Sequence, residues 1–208
     1  MTEQTFFHRL EKSGPYRWLR NRMNHGLVDF LHRHALAGRE HLRVAELACG
    51  SGYASHLLAS YPEVALSVAT DINREIATQA SIPDFAAEFA LVDIFQPAFA
   101  PGSFDLVWNS SSLEHFEHGP EGQDTPAALR TMAALARRGG YVFVGVPYLW
   151  GPLALYYLTP TEAQREWLGR PFRYRQLATL FEQANLQIED SLIYLGRCFV
   201  GILAKKPA

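Results

Sequence analysis

The sequence predicts an α/β fold: a doubly wound, mostly parallel seven-stranded sheet with helices on both faces and a C-terminal antiparallel hairpin. Apolar runs at 42–48, 65–70, 89–92, 104–108 and 141–146 alternate with helical patterns. Runs that are apolar almost throughout are typical of strands buried on both faces, and their alternation with helices favours a parallel sheet. The last two strand candidates, 188–195 and 199–204, are separated by Gly196-Arg197. No helix fits between them, so we expect a hairpin.

Helix signals support this plan. Residues 17–37 carry apolar residues on one face, with an interruption expected at Gly26. Asn73 can cap a helix after the second strand. Thr125, followed by Pro126, is predicted to cap a helix that runs to about Arg137, where Gly139-Gly140 would end it. A late amphipathic helix is indicated around 177–184.

Composition narrows the class of protein. The chain has 208 residues, a formal net charge of −2 and two cysteines, Cys49 and Cys198. Near-neutral charge gives no bulk attraction to nucleic acid, and two cysteines form neither a disulfide framework nor a zinc motif. No run approaches the roughly 20 apolar residues of a membrane span. We therefore expect a cytoplasmic protein with no nucleic-acid partner, no membrane span and no metal, as a monomer or homodimer.

The turn after the first predicted strand is the most informative stretch. Val44–Gly52 is an apolar strand with the acidic Glu46, followed by a turn of small residues and then a helix with Ala54, Leu57 and Leu58 on one face. Glycines let the backbone approach a ligand closely, and the helix start offers free N–H groups. A phosphate-binding G-x-G-x-x-G turn would share Gly50 and Gly52 but would not have Ser55 at its third small position.

Three acidic residues, Glu46, Asp71 and Asp93, close the first three predicted strands. Ligands of open α/β sheets lie across the carboxyl ends of the strands. Three carboxylates beside a glycine turn suit a nucleoside, whose hydroxyl and amino groups need acceptors, better than a bare phosphate.

With these segments in order, the chain resembles the class I S-adenosylmethionine-dependent methyltransferases, within them the small ubiquinone-biosynthesis-like (type 11) group. The resemblance spans roughly Arg43 to Lys205 and rests on Val44–Gly52, on Ala69-Thr70-Asp71-Ile72, on Leu91-Val92-Asp93-Ile94, on the run 104–116 that ends in Leu-Glu-His-Phe, and on 137–142. It implies S-adenosyl-L-methionine as cofactor, with roles assigned position by position. The implied cofactor-binding residues are Glu46, Ala48, Gly50, Gly52, Asp71, Ile72, Asp93, Ile94, Asn109 and Ser110.

Within that resemblance, Asp71 is expected at the ribose with Ile72 against the adenine, and Asp93 is expected at the adenine amino group. Ala48 departs from the family, which most often has glycine there. Because alanine carries a methyl group, we expect a negative φ at this position. His115 is the candidate catalytic residue, as a general base or an acceptor-orienting group; the alternative is a loop histidine held by local hydrogen bonds.

Two segments outside these motifs are expected to build the acceptor site. One is an N-terminal helical segment, 1–40, that covers the active site; the other is an aromatic insert at 148–172 within the cofactor-binding domain, 41–208. The cofactor would fill the crevice over strands one to four, which leaves its methyl group open beside strands four and five. The candidate substrate residues are Tyr16, Arg20, His25, Tyr148, Trp150, Tyr156 and Tyr157. Alternatively, the insert is a satellite hydrophobic cluster, or a dimer or membrane-surface contact.

The sequence therefore predicts a methyltransferase whose acceptor is a small molecule with an apolar or aromatic body. Two alternatives stay open at this point. One is a catalytically silent cofactor-binding subunit of a partner enzyme. The other is a nicotinamide-dependent oxidoreductase, which the missing third glycine and the terminal hairpin disfavour.

Overall fold

The computed structural model describes residues 14–73, 84–116, 122–152, 158 and 169–208, without the side chains of residues 15–17 and 20. The helices are α1 (Gly14–Leu31), α2 (Tyr53–Leu58), α3 (Thr125–Leu135) and α4 (Tyr174–Gln183). The strands are β1 (Leu42–Leu47), β2 (Val64–Asp71), β3 (Glu88–Leu91), β4 (Phe104–Ser110), β5 (Ala136–Pro147), β6 (Gln187–Tyr194) and β7 (Phe199–Lys205). A π-helical turn, His32–Leu36, continues α1, and a 3₁₀ turn, Leu113–His115, follows β4.

The seven strands form one sheet in the order β3-β2-β1-β4-β5-β7-β6. Strands β1 to β5 pair in parallel, whereas β7 is antiparallel to both β5 and β6. The predicted fold class and its C-terminal antiparallel hairpin are confirmed. Because the chain leaves β1 towards β2 on one side and reaches β4 on the other, a crevice opens at the carboxyl ends of β1 and β4, where open α/β sheets bind ligands.

Helices cover both faces of this sheet. On one face, Leu27 and Leu31 of α1 and Leu58 of α2 pack with Trp108 and Phe143. On the other face, residues of α3 and α4 pack into a second cluster with the opposite side of β1, β4, β5 and β7. Alternate residues of the central strands therefore point into different cores, which explains why their sequences are apolar almost throughout.

The glycine pair 139–140 does not end the helix, contrary to the sequence prediction. Helix α3 stops at Leu135 and β5 begins at the next residue. Gly139 has φ +69, and its N–H donates to the carbonyl of Lys206 at 2.9 Å. A Cβ on Gly140 would lie 3.0 Å from the carbonyl oxygen of Asp105. The pair is a kink within β5, where glycine is required because a neighbouring backbone approaches closely.

Two further local predictions are corrected. Gly26 does not interrupt α1, because a single glycine costs only about 1 kcal/mol in a helix and the neighbouring Leu27 is fully buried. Asp124, rather than Thr125, caps α3: its Oδ1 accepts the N–H of Ala127 at 2.8 Å. The Thr125 hydroxyl instead donates to the carbonyl of Leu113 at 2.8 Å, which ties α3 to the loop after β4. The helix predicted to start at Asn73 lies outside the described residues.

Candidate functional site

The turn after β1 adopts left-handed backbone conformations at three positions. Ala48, Gly50 and Gly52 have φ values of +53, +54 and +65. At Gly52 a side chain would also lack space, since a Cβ would lie 3.0 Å from the ring of Phe85 and 3.3 Å from Ala69. Both glycines predicted from the sequence therefore have a conformational reason to be glycine.

The prediction of a negative φ at Ala48 is wrong. Neighbouring groups hold the left-handed conformation in place: the Ser112 hydroxyl donates to the Ala48 carbonyl at 3.0 Å. The Asn109 amide donates to the adjacent Leu47 carbonyl at 2.6 Å. A non-glycine residue with this φ is strained by roughly 1–2 kcal/mol. The fold accepts this strain because the turn is fixed from the β4 side.

Asp71, at the end of β2, holds this turn directly. Its Oδ2 accepts the N–H of Gly50 at 2.9 Å, and its Oδ1 accepts the N–H of Asn73 at 2.9 Å. Register brings the two segments together, because Leu47 of β1 pairs with Thr70 of β2. The carboxylate therefore fixes the mouth of the crevice, and it is the acidic group expected at the ribose.

Glu46 lies deeper, near the end of β1, and only 5% of it is exposed. Its Oε2 accepts the Ser55 hydroxyl of α2 at 2.6 Å. This bond joins the strand to the helix that follows the turn. The expected role of Glu46 at the cofactor's amino group stays a prediction.

The residues predicted to surround the adenine differ in exposure. Ile72 is 69% exposed, which leaves it available to a ligand. Asp93 lies two residues beyond β3 and is half-buried, with its Oδ1 accepting the N–H of Phe95 at 2.9 Å. Ile94 is 6% exposed and belongs to the core beneath. The edge of the sheet thus offers one apolar surface and one carboxylate at this end.

The loop after β4 connects the turn to the far side of the sheet. Asn109 is fully buried, and its amide group donates a hydrogen bond to the Leu47 carbonyl. The Ser110 hydroxyl pairs with that of Tyr194, from the end of β6, at 3.0 Å. A side chain at Gly145 would collide with the Tyr194 hydroxyl, so glycine there makes room for this contact. Direct contact of Asn109 and Ser110 with the cofactor stays a prediction.

Glu114 and His115 occupy the 3₁₀ turn of this loop in opposite environments. His115 is exposed overall, although desolvation lowers the pKa of its ring. Glu114 is only 3% exposed, and burial raises the pKa of its carboxyl to about 8. The sequence prediction names His115 for its chemistry, and Glu114 is not among the predicted site residues. The signal available was its place between Leu113 and Phe116, both of which pack in the core.

The predicted acceptor residues are only partly described. His25 of α1 reaches the turn, with its Nε2 3.5 Å from the Tyr53 hydroxyl. Tyr148 is half-buried at the end of β5, and Trp150 is 64% exposed with the Arg173 guanidinium over its ring. The described part of the chain does not include Tyr156 and Tyr157, or the side chains of Tyr16 and Arg20.

The described ranges contain neither a metal-ligand cluster nor a membrane-spanning helix. Across 14–73, 84–116, 122–152 and 169–208, no three His, Cys, Asp or Glu side chains are arranged to hold a metal ion. None of the helices described there is long and apolar enough to cross a membrane. Glu117 and His118, which continue the acidic and histidine run after Glu114, lie outside these ranges.

Known proteins share the fold and the motifs. A family model described as a methyltransferase domain (type 11) matches residues 45–144. A 2-methyl-6-phytyl-1,4-hydroquinone methyltransferase from Synechocystis is 29% identical over 124 residues, which cover 56% of this chain but only 37% of that protein. The chain thus spans little more than a third of that relative's length. Residues 45–144 therefore match a methyltransferase domain, in agreement with the resemblance of the motifs to the class I S-adenosylmethionine-dependent methyltransferases.

Solved structures give the same architecture. Magnesium protoporphyrin IX methyltransferase from Synechocystis, with bound S-adenosylhomocysteine, superposes with a TM-score of 0.72 at 18% identity, over 96% of this chain and 92% of that one. The 1,6-didemethyltoxoflavin N1-methyltransferase from Burkholderia thailandensis gives 0.69 at 19% identity, over 99% and 87%. At such identities the likeness establishes the fold alone.

Proposed function

We propose that this protein transfers a methyl group from S-adenosylmethionine to a small-molecule acceptor with an apolar or aromatic body. The observation that carries the proposal is the bond from the Gly50 N–H to Asp71, which places a strand-end carboxylate at the rim of a glycine turn. A carboxylate there provides acceptors for a pair of ribose hydroxyls, whereas a phosphate would be repelled by it. The methyltransferase domain match over residues 45–144 supports the same reaction.

The described residues fit such a cofactor. The open space at Gly50, where a Cβ would meet nothing within 4 Å, leaves room for a ligand against the turn. Asp71 would accept from the ribose, Ile72 would cover the adenine, and Asp93 would accept from its amino group. Glu46, together with Ser55, would lie behind the amino end of the cofactor. The positions on this edge of the sheet therefore alternate between acceptors for polar groups and apolar surface.

Methyl transfer requires little of the protein beyond positioning the cofactor and the acceptor. The bound cofactor supplies a methyl group on a positively charged sulfur, which is already activated for displacement. The chain's residues orient the acceptor in line and exclude water, which are the largest contributions for this type of reaction. A general base is needed only when the acceptor loses a proton during attack, and His115 is our candidate for that case.

The acceptor preference rests on position and on the relatives. The names of the proteins compared above refer to a phytyl hydroquinone, a magnesium porphyrin and a didemethyltoxoflavin, which are all ring compounds. In this chain, Tyr148 and Trp150 follow β5 on the side where the acceptor would approach. We place the pocket between these residues, the loop after β4 and the N-terminal segment 1–40, inside a cytoplasmic monomer or homodimer without a nucleic-acid partner.

Radiolabelled methyl transfer provides the test. Purified protein is incubated with S-adenosylmethionine carrying a tritiated methyl group and an ultrafiltered metabolite extract, and label in extractable small molecules is counted. We expect transfer that depends on the protein and is strongly reduced in Asp71→Ala. Cofactor binding without transfer would favour the alternative of a catalytically silent subunit.

A further inference from the structure

Glu114 has a buried carboxyl oxygen without a hydrogen-bond partner. Only 3% of the residue is exposed, and its Oε2 has no hydrogen-bond partner among the residues that the structure describes. Burying a polar atom in this way costs about 1–3 kcal/mol for a neutral group and more for a charged one. Native proteins rarely keep such atoms, and those that remain often mark functional sites.

The position of Glu114 joins the two halves of the expected site. On one side, Ser112 of the same loop holds the Ala48 carbonyl of the cofactor turn. On the other side, the Glu114 carbonyl accepts the N–H of Arg170 at 3.0 Å. A Cβ on Gly169 would lie 2.4 Å from Cγ of Glu114. The loop that carries Glu114 therefore lies between the cofactor turn and the segment 169–172, and the Glu114 side chain packs against that segment.

Segment 169–172 is itself fixed at the end of β5. The Phe172 N–H donates to the Pro147 carbonyl at 2.8 Å, and the Leu149 N–H donates to the Phe172 carbonyl at 2.9 Å. Glu114 is thus enclosed by the residues that follow β4 and β5, the two strands beside which the methyl group would be approached. A buried polar atom without a partner at this place indicates that a ligand group supplies the missing hydrogen-bond partner.

We propose that Glu114 determines acceptor specificity, with its carboxyl forming a hydrogen bond to a neutral hydroxyl, carbonyl or amine group of the acceptor. The inference rests on the proposed methyl transfer. It requires the acceptor to reach the carboxyl from a side other than the backbone of Gly169 and Arg170, which packs directly on Glu114. Burial favours the protonated carboxyl, which can donate one hydrogen bond and accept others. A neutral polar group on the acceptor matches this surface because neither partner then carries an uncompensated buried charge.

Glutamine is the informative substitution, because its amide also donates and accepts but cannot ionise. The test compares wild type, Glu114→Gln and Glu114→Ala, with Glu63→Gln as the matched control. Within the described part of the chain, Oε2 of Glu63 is also buried without a partner, but Glu63 precedes β2 and its Oε1 pairs with His32. Each protein is assayed for S-adenosylhomocysteine affinity by calorimetry, for thermal midpoint, and for tritiated methyl transfer at limiting and saturating amounts of the metabolite extract.

We expect Glu114→Ala to lose at least tenfold in transfer at limiting extract, with cofactor affinity changed less than twofold. Glu114→Gln should retain transfer within about threefold, and Glu63→Gln should match wild type. Equal losses in Glu114→Gln and Glu114→Ala would mean that an ionised carboxylate is needed and would overturn the proposal. Unchanged transfer in a folded Glu114→Ala protein would overturn it as well. Absence of transfer by wild type would instead refute the methyltransferase function on which the inference rests.

A spectroscopic readout covers the case in which Glu114→Ala does not fold. The infrared difference between wild type and Glu114→Gln isolates the carbonyl band of the protonated Glu114 carboxyl. We expect that band to shift when S-adenosylhomocysteine and the transfer-active fraction of the extract are added together, but not with S-adenosylhomocysteine alone. A band that stays in place under both conditions would show that the acceptor does not reach Glu114.

Discussion

The N–H of Gly50 donates to Oδ2 of Asp71 at 2.9 Å, so that the turn after β1 and the end of β2 form one structural unit. The same carboxylate accepts the N–H of Asn73 through its other oxygen. Asp71 therefore holds the turn in place before any ligand is present. A bound ribose would donate to a carboxylate that is already oriented by the protein. This arrangement lowers the cost of ordering the site on binding.

Replacement of Asp71 should weaken cofactor binding through both roles. Asp71→Ala removes the acceptor for Gly50 and the acceptors for the ribose, and bonds to a charged group contribute roughly 1.5–3 kcal/mol each. We expect at least a tenfold loss of S-adenosylhomocysteine affinity in calorimetry. Asp71→Asn keeps one oxygen and the side-chain shape, and its loss should be smaller. Wild-type affinity in Asp71→Ala would place the ribose elsewhere.

Ala48→Gly should stabilise the protein. The substitution removes the strain of a left-handed alanine, about 1–2 kcal/mol, against an added unfolded-state entropy of about 0.4–1 kcal/mol. We expect a net gain of about 0.5–1 kcal/mol in the free energy of unfolding, measured by urea denaturation. Ala134→Gly, at an exposed position of α3, is the control and should destabilise by up to about 1 kcal/mol. A loss of stability in Ala48→Gly would show that the methyl group contributes packing that outweighs the strain.

Glu114 should make stability depend on pH between about 5 and 8. Its pKa is raised from 4.5 to about 8, so the folded state holds a proton that the unfolded state has lost in this range. Stability therefore falls as pH rises, by up to about 1.4 kcal/mol per pH unit, and levels off above the folded pKa. Charged or titratable groups near the carboxyl are His115, Arg170 and Tyr194, and burial holds the Tyr194 hydroxyl in its neutral form over this range.

The measurement is the unfolding free energy of wild type minus that of Glu114→Gln at several pH values. This difference isolates the carboxyl from the rest of the protein's titration. We expect it to decline steadily from pH 5 to about 8 and then to stay constant. A flat difference across the range would show that the carboxyl is ionised in the folded protein.

Much of the architecture could be predicted from the sequence because burial on both faces leaves an unmistakable pattern. The β4 segment Phe104–Ser110 is buried at six of its seven positions, and no alternation is needed to recognise it. The hairpin of β6 and β7 followed from the absence of a helix between them. Family motifs then located the glycine turn and the strand-end acids.

The failures have a common physical origin in contacts between distant segments. Ala48 takes a positive φ because Ser112 and Asn109 hold the carbonyls around it, and nothing local in the sequence signals that. Gly139 is predicted to end a helix, but it forms a kink in β5 and its N–H donates to the carbonyl of Lys206. Glu114 was considered only as part of an acidic and histidine run that could bind a metal, and its burial could not be predicted because it depends on the distant residues 169–172.

The central claim is that the crevice at the carboxyl edge of β1 and β2 binds an S-adenosyl nucleoside rather than a nicotinamide dinucleotide. Isothermal calorimetry on the wild-type chain tests it most directly, with S-adenosylhomocysteine and NAD titrated separately under the same conditions. The structure predicts saturable binding of S-adenosylhomocysteine with one site per chain and no measurable heat of binding for NAD. Binding of NAD without binding of S-adenosylhomocysteine would contradict the account.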